Sequence, residues 1–404
     1  MAALCKHFTY EFNVISRNIF GAVCATSLQR QGVRCLYAAS ALGVDNYVRT
    51  RERVNLQFQN ISEKFRVKMK EFTENQSTSA MIFTEDLKNM LHLVDSKPED
   101  LDLILKMMQK FNQQNKNLRF GNFVFGPVVM RMYHHLNQPE AAFNAFMDPQ
   151  LEGFFDQLMS YQILLDLLLR SNLYDKVLEV FDVIKNKQIE GAKYPKNVVV
   201  LVFATLYKMN SSESLQRATQ LWSDLQNVGH VPMRRAVAFS AALAINQNAP
   251  HIALEMLSSV SRPNYVTIRN LKIAALADLG RPEDTFPLLR SILEADNPQV
   301  KLTVAKESID KVKNALKKSE KQDLQLEFDQ LEKRLNAGEH IIDQSQDEWL
   351  YVEILAESSN FSRDQRFLAA SFNRQRPGGR DLGFGGGRDG ETKRRPRPGL
   401  AQMN

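Results

Sequence analysis

The stretch LMSYQILLDLLLRSNLYDKVLEVFDVIKNKQIE, residues 158–190, decides the fold class of this chain. Apolar residues at helical spacing form one stripe before a polar break at residues 170–173 and another stripe after it. The stripes consist of Leu164, Leu165, Leu168 and Leu169 on the first helix and Val177, Val180, Phe181 and Ile184 on the second. Neither short helix can bury its stripe alone. The stretch therefore predicts a helical hairpin that packs against neighbouring hairpins.

The same pattern recurs along the chain. Corresponding places in five successive second helices are held by Ala142, Val177, Ala218, Ala253 and Thr285. Their separations are 35, 41, 35 and 32 residues. A period near 35 predicts an all-α fold, an α-solenoid of stacked helical hairpins. The hairpins are predicted at residues 83–111, 123–148, 158–188, 197–228, 234–260 and 264–295.

The repeats resemble the pentatricopeptide repeat family. Its unit has an aromatic residue near the start of the first helix, a second helix of the form xxALELFxxM and a Gly-x-x-Pro-like loop. Tyr161 fits the aromatic position, residues 177–181 fit the second helix, and RATQLWSDLQNVGHVP at 217–232 fits the helix and loop of the next unit. The alternative is the tetratricopeptide unit, which binds peptides and needs a small residue early in its first helix. That residue is mostly absent here.

The amino-acid composition limits which classes of function are possible. Lys and Arg number 52 against 46 Asp and Glu, giving a net charge of +6 over 404 residues, which suits an anionic partner. The three cysteines, Cys5, Cys24 and Cys35, lie near the N-terminus, so the rest of the chain can hold neither a disulfide framework nor a cysteine zinc site. We expect no membrane span, metal site or cofactor, and no enzyme, because neither an 18-residue apolar run nor a catalytic motif occurs.

The chain divides into five predicted regions. Residues 1–44 carry four basic residues against the single acid Glu11, which is typical of a mitochondrial transit segment and predicts a location in the matrix. An N-terminal capping helix at 45–79, the hairpin array at 80–300 and a C-terminal capping helix at 301–340 follow. The tail, 341–404, is rich in Arg, Gly and Pro and is predicted to be disordered from about residue 373.

The family resemblance implies that bases are read from the first helices and from the end of each unit. Alignment of the repeats places Gln162, Val200, Ala238 and Asn270 at the primary position and Gln157 at the end of the preceding unit. Val200 and Ala238 have no side-chain donor or acceptor. The candidate base-facing residues are therefore Gln157, Gln162 and Asn270, and no target sequence is predicted.

Candidate phosphate contacts lie beside the first helices and in the tail. Lys193 and Lys196 precede one first helix, and Arg234 and Arg235 open another; cations at a helix N-terminus favour phosphate. The tail adds Arg380, Arg388, Arg394 and Arg395, since Gly-rich Arg segments contact RNA through phosphates and stacking. Ordinary surface charge is the alternative interpretation for both groups. His134 and His135 are expected on a solvated face, and Asp166 is expected to face a turn or solvent.

Two functions follow as hypotheses. The resemblance implies a non-enzymatic protein that binds single-stranded mitochondrial RNA and acts in the processing or maturation of organellar transcripts, and thereby in respiratory-chain expression. The alternative is a protein-binding scaffold, whose partners would be RNA-processing or ribosomal proteins of the mitochondrion. A basic inner face would favour RNA, and an apolar inner face would favour protein.

Overall fold

The computed structural model describes residues 35–75, 80–118, 123–260, 265–294, 301–319 and 321–355. The N-terminal part of this chain contains α1 (Ala39–Leu42), α2 (Val44–Phe58) and α3 (Ser62–Glu74). The hairpin helices are α4 (Thr84–Leu93), α5 (Pro98–Leu118), α6 (Gly126–Leu136), α7 (Pro139–Met147), α8 (Leu158–Arg170), α9 (Tyr174–Lys187), α10 (Lys196–Met209), α11 (Ser212–Asn227), α12 (Arg234–Asn246), α13 (Pro250–Ser258), α14 (Val266–Asp278) and α15 (Phe286–Leu293). The C-terminal part contains β1 (Val304–Ala305), α16 (Lys306–Ser319), α17 (Gln322–Ala337), β2 (Ile341–Ile342) and α18 (Gln346–Leu350).

The first helices of the hairpins form one layer. α4, α6, α8, α10, α12, α14 and α16 each pack against the next helix of this series, and the second helices pack against them from one side. The five repeat positions found in the sequence, Ala142 to Thr285, are all fully buried, as the contact between the two layers requires. This arrangement confirms the predicted all-α solenoid of stacked hairpins.

Five successive hairpin turns each contain a residue in the left-handed backbone conformation. The turns between first and second helix contain Asn137, Asn172, Asn210, Asn248 and Gly280, with φ between 45° and 73°. Asn and Gly adopt this conformation most readily, because other side chains crowd the following carbonyl. Each turn thereby reverses the chain within a few residues and holds its two helices together. This periodic Asn or Gly is a second repeat signal besides the buried small residue.

We expect Asn248→Ala to lower the free energy of unfolding by about 1 kcal/mol, because alanine is strained at φ +55°. Asn248→Gly is the matched control and should stay close to the parent. Urea denaturation followed by circular dichroism measures both. Equal stability of the alanine and glycine variants would show that the backbone conformation does not limit the turn.

The N-terminal cap consists of two helices, so the prediction of one capping helix at 45–79 is wrong. The chain bends at residues 59–61, where the rings of Phe58 and Phe65 meet with centroids 5.2 Å apart. The bend lets α2 pack on α4 and α6 while α3 packs on α5. A single straight helix would cover only one of these two surfaces.

The segment before α2 also belongs to the folded body. Leu36, Tyr37 and Leu42 are buried in the same core cluster as the hairpins. A removable transit segment that ends at residue 44, as the sequence predicts, would take these side chains away. The folded body therefore includes the chain from Leu36 onward, and not only from residue 45. Residues 1–34 lie outside the described part of the chain.

Deletion of residues 2–34 should leave the melting temperature of the protein unchanged, whereas deletion of residues 2–44 should lower it strongly. The longer deletion removes Leu36, Tyr37 and Leu42, and burial of each such side chain contributes about 1.5–3 kcal/mol. Thermal unfolding of the two purified proteins checks this. Equal melting temperatures would place residues 35–44 outside the cooperative fold.

The C-terminal cap is a hairpin followed by a returning segment. In place of the one C-terminal capping helix predicted at 301–340, α16 and α17 fold back on each other, and Ile309, Val312 and Phe328 share one core cluster. Leu326, on α17, is 63% exposed. Beyond α17, β2 pairs in parallel with β1, and residues up to 355 return to the array. The part of the predicted tail at 341–355 is therefore folded.

Candidate nucleic-acid interface

The first helices are buried around their whole circumference. Every residue of α8 from 160 to 169, of α10 from 198 to 207 and of α12 from 236 to 245 is buried. Neighbouring first helices cover their flanks, and the second helices cover one face. The remaining face, called here the inner face, must therefore be covered by another part of the chain.

Residues 36–42, here the N-terminal cover, lie over α6 and α8. Arg131 donates from Nε to the Leu42 carbonyl at 2.8 Å, and Arg170 donates to the Tyr37 carbonyl at 2.6 Å. The Nε of Arg170 also lies 2.6 Å from Oδ2 of Asp166, a carboxylate with 0% exposure. The segment is thus anchored through two partly buried guanidinium groups.

Asp166 forms a buried polar cluster with residues from two repeats. Its Oδ2 lies 3.1 Å from Nε2 of His134 on α6, one repeat earlier in the chain. The side chain of His134 is only 7% exposed. The expectation that Asp166 and His134 face solvent is therefore wrong. A buried carboxylate needs a cation or hydrogen-bond donors, and Arg170 and His134 provide them.

Residues 346–355, here the C-terminal strap, lie over α10 and α12. Trp349, Leu350 and Tyr351 are buried, and the Tyr351 ring lies 5.0 Å from that of Phe239, centroid to centroid. The Asp347 carboxylate accepts from the Tyr207 hydroxyl at 2.7 Å and from the Lys208 ammonium at 2.9 Å. Burial is the largest cause of the raised pKa of Tyr207, followed by its hydrogen bond to Asp347.

The two segments meet in the middle of the inner face. Tyr37 and Ile354 form a parallel β-bridge, in which Ala38 N donates to Ile354 O at 3.0 Å and Ile354 N donates to Leu36 O at 2.9 Å. Val200 and Ala238, which alignment placed at base-reading positions, are buried. RNA therefore has no open path along the inner face of α8, α10 and α12 in this conformation.

An open cavity of about 720 Å³ lies at the N-terminal ends of α8 and α10. It brings together three of the predicted residues, Gln162, Lys193 and Lys196. Lys193 and Lys196 are exposed, and the Gln162 side chain accepts from Asn197 Nδ2 at 2.9 Å. The complete lining is Leu158, Met159, Gln162, Gly191, Ala192, Lys193, Tyr194, Pro195, Lys196, Asn197, Val198, Val228 and His230.

The chemistry of this cavity combines cations, amides and apolar surface. Burial, together with the nearby Lys196 ammonium, lowers the pKa of His230, so its imidazole is neutral at pH 7. A neutral imidazole can accept as well as donate a hydrogen bond. The N-terminus of α10 adds unpaired backbone N–H groups and positive potential. The cavity can therefore hold an anionic group beside a planar polar one.

Arg234 and Arg235 lie in a second, smaller cavity of about 240 Å³. The Arg234 guanidinium lies over the Tyr265 ring, 3.2 Å from its centroid. Arg235 donates to the Leu350 carbonyl of the strap at 3.1 Å, and burial lowers its pKa. Strap residues Trp349, Leu350 and Val352 also line this cavity. One of the two predicted phosphate contacts is thus engaged by the chain itself.

The other candidates do not join these cavities. Asn270 is 0% exposed: its Oδ1 accepts from Ala305 N at 3.1 Å and its backbone carbonyl accepts from Ser308 at 3.3 Å. The assignment of Asn270 as a base-reading residue is therefore wrong for this conformation. Gln157 is used within its own turn, where its amide contacts Phe154 O and Ser160. Arg380, Arg388, Arg394 and Arg395 lie outside the described residues.

In the described part of the chain, no three side chains among His, Cys, Asp and Glu come together as metal ligands would. Within the same residues, no helix has both the length and the apolar character needed to cross a membrane.

Comparison with curated proteins gives consistent matches. The chain is 31% identical to the mouse (Mus musculus) protein "Pentatricopeptide repeat-containing protein 2, mitochondrial" over 264 residues, 65% of each chain. The chain resembles the pentatricopeptide repeat family. The human (Homo sapiens) protein of the same name is 31% identical over 232 residues, 57% of this chain and 58% of that one. The zebrafish (Danio rerio) protein is 31% identical over 218 residues, 54% and 56% of the two chains.

The matches cover less than two thirds of each of these relatives' length. No protein-family model matches the chain. The names of the relatives support a mitochondrial location and agree with the stacked helical hairpins. The resemblance that the sequence motifs indicated is thereby confirmed.

Sequence reasoning missed the buried polar cluster and the strap. A signal for the cluster exists: Asp166 interrupts a leucine run, Arg170 follows at i+4, and His134 lies 32 residues earlier, about one repeat. The strap gives no such signal, because its partners Tyr207 and Arg235 lie more than one hundred residues away. Asn197 and His230 were also missed, since Asn197 lies in the first turn of α10 and His230 in the loop before α12, where the repeat pattern does not fix the register.

We expect Arg170→Ala to lower the free energy of unfolding by about 3–5 kcal/mol, because it leaves the Asp166 carboxylate buried without its cation. Arg217→Ala, which removes an exposed i,i+4 partner of Glu213, is the matched control and should change stability little. Urea denaturation of both variants is the measurement. Similar losses for the two would mean that the buried cluster contributes no more than a surface ion pair.

Proposed function

We propose that this protein binds single-stranded RNA in the mitochondrial matrix and acts without catalysis in the processing or maturation of organellar transcripts. The observation that carries the proposal is the meeting of Lys193, Lys196 and the Gln162–Asn197 amide pair in one open cavity. Similarity to proteins named as mitochondrial pentatricopeptide repeat proteins supports the location and the class of ligand.

The cavity suits a nucleotide for physical reasons. The two lysine ammonium groups and the N-terminus of α10 attract phosphate, which supplies most of the affinity in such complexes. The amide groups of Gln162 and Asn197 can exchange their mutual hydrogen bond for contacts with a base edge. Tyr194, His230 and Met159 provide flat or apolar surface for the base. The cavity therefore holds a phosphate and a base next to each other.

Lys193→Gln with Lys196→Gln should weaken the binding of every single-stranded RNA to a similar extent. The salt dependence of binding should fall by about 0.7 for each phosphate that the variant no longer neutralises. Lys317→Gln with Lys318→Gln removes the same charge from two exposed residues at the end of α16 and serves as the control. Fluorescence anisotropy with oligonucleotides of uridine, adenosine or cytidine, at two salt concentrations, measures these effects. If both double variants bind like the parent, the cavity is not the RNA site.

Gln162→Ala, measured in the same assay, shows whether Gln162 recognises a base or only supports RNA binding in general. A base contact predicts a changed preference among the three oligonucleotides, on the order of 1 kcal/mol. A uniform change would assign Gln162 to the positioning of Asn197 instead. Crosslinking in mitochondria followed by RNA sequencing would then identify the transcript.

A second candidate function is that of a protein-binding scaffold in a mitochondrial ribosome or RNA-processing complex. Exposed apolar side chains favour it: Val228, Val231 and Met233 lie in or beside the loop before α12, and Tyr265 lies just before α14. Apolar groups at a surface often mark a protein interface. Val231→Ser with Met233→Ser should remove protein crosslinks and leave RNA binding intact if this candidate is right.

A further inference from the structure

The C-terminal strap covers groups that hold single-stranded nucleic acid in other proteins. It sits on the aromatic rings of Tyr207 and Phe239 and on the cationic groups of Lys208 and Arg235. Aromatic rings stack with bases, and guanidinium and ammonium groups pair with phosphates. These groups lie on α10 and α12, the first helices next to the open cavity. We propose that residues 346–355 are a displaceable strap that closes a second single-stranded RNA site, and that RNA binding opens it; this rests on the proposed function.

The strap buries only some of its side chains against the array. Trp349, Leu350 and Tyr351 are buried, but Val352 is 55% exposed and Leu355 is 68% exposed. The helix in the strap, α18, has five residues. Three buried side chains therefore oppose the entropy of ordering the whole segment. Such a balance leaves the bound and released states close in free energy.

The polar contacts of the strap are also exchangeable. Asp347, its main ionic anchor, is a carboxylate at the surface that pairs with Lys208. A phosphate would give Arg235 a charged acceptor in place of a backbone carbonyl and would give Lys208 an anionic acceptor in place of the Asp347 carboxylate. Among the described residues, no acceptor meets the buried Nε1 of Trp349. An unpaired buried donor lowers the stability of the closed state, but the N-terminal cover carries one as well, the Tyr37 hydroxyl, so the difference between the two segments lies in their guanidinium contacts.

The contrast with the N-terminal cover supports the assignment. That segment places the carbonyls of Tyr37 and Leu42 on Arg170 and Arg131, and Arg170 is also paired with the buried Asp166. Its release would leave these groups buried or unpaired. The release of the strap would instead free Arg235 and Lys208, which line the site that RNA would enter. Of the two segments that cover the inner face, the strap is therefore the one that a ligand can displace.

The test compares two double variants of the full chain. Trp349→Ala with Tyr351→Ala removes the buried anchors of the strap, and Leu326→Ala with Leu355→Ala changes two exposed leucines, one of them in the strap. The first should bind a uridine oligonucleotide about tenfold more tightly than the parent, within the range of couplings between linked sites. The second should bind like the parent. The gain should disappear when Arg234→Ala and Arg235→Ala are added.

Hydrogen exchange of the parent protein gives a readout that needs no variant. Saturating uridine oligonucleotide should increase deuterium uptake at residues 346–355 and decrease it at residues 193–197. Unchanged or decreased uptake at 346–355 would overturn the strap proposal, and so would equal affinities of the two double variants. If RNA binding depends on Lys193 and Lys196 while the strap variants and the hydrogen exchange contradict the strap proposal, the proposed function stands, and only the strap proposal is rejected. If the parent and the loosened variant both bind no RNA, both proposals are rejected.

Discussion

The first helices are apolar around most of their circumference, and the rest of the structure depends on covering them. A helix of this kind must be buried on all sides. In α10 and α12, neighbouring first helices cover the flanks and the second helices cover one face. The fourth side is covered by the N-terminal cover and the C-terminal strap. A solenoid with amphipathic first helices would need only two layers and would leave its inner face polar.

This constraint decides where RNA can bind. Since the inner face is closed, the accessible groups are those at the N-terminal ends of the first helices and in the loops before them. Lys193, Lys196 and Asn197 lie there, where the backbone N–H groups of α10 also point outward. The lack of a donor or acceptor at Val200 and Ala238 agrees with their burial. The apolar character of these helices thus explains two observations: their inner face is covered, and they lack polar residues at the base-reading positions.

The sequence predicts the hairpins well because their contacts are local and periodic. It also selects Gln162, Lys193 and Lys196 as separate candidates, and the structure brings them together at the N-terminal ends of α8 and α10. It fails at Asn270, whose surroundings are set by β1, a two-residue strand without a periodic signal. It fails for both covering segments for a similar reason. Tyr37 and Ile354 pair across most of the chain, and nothing in their local pattern indicates a partner.

The two covering segments differ in how they satisfy the polar groups beneath them. The N-terminal cover accepts hydrogen bonds from Arg131 and Arg170, so its removal takes these carbonyl acceptors away from two partly buried guanidinium groups. The strap pairs with Lys208 through a carboxylate at the surface, so water can replace it at little cost. Loosening would therefore begin at Asp347 and end with the release of Ile354 from its bridge to Tyr37. Arg131 and Arg170 would keep the N-terminal cover on α6 and α8 while α10 and α12 become accessible.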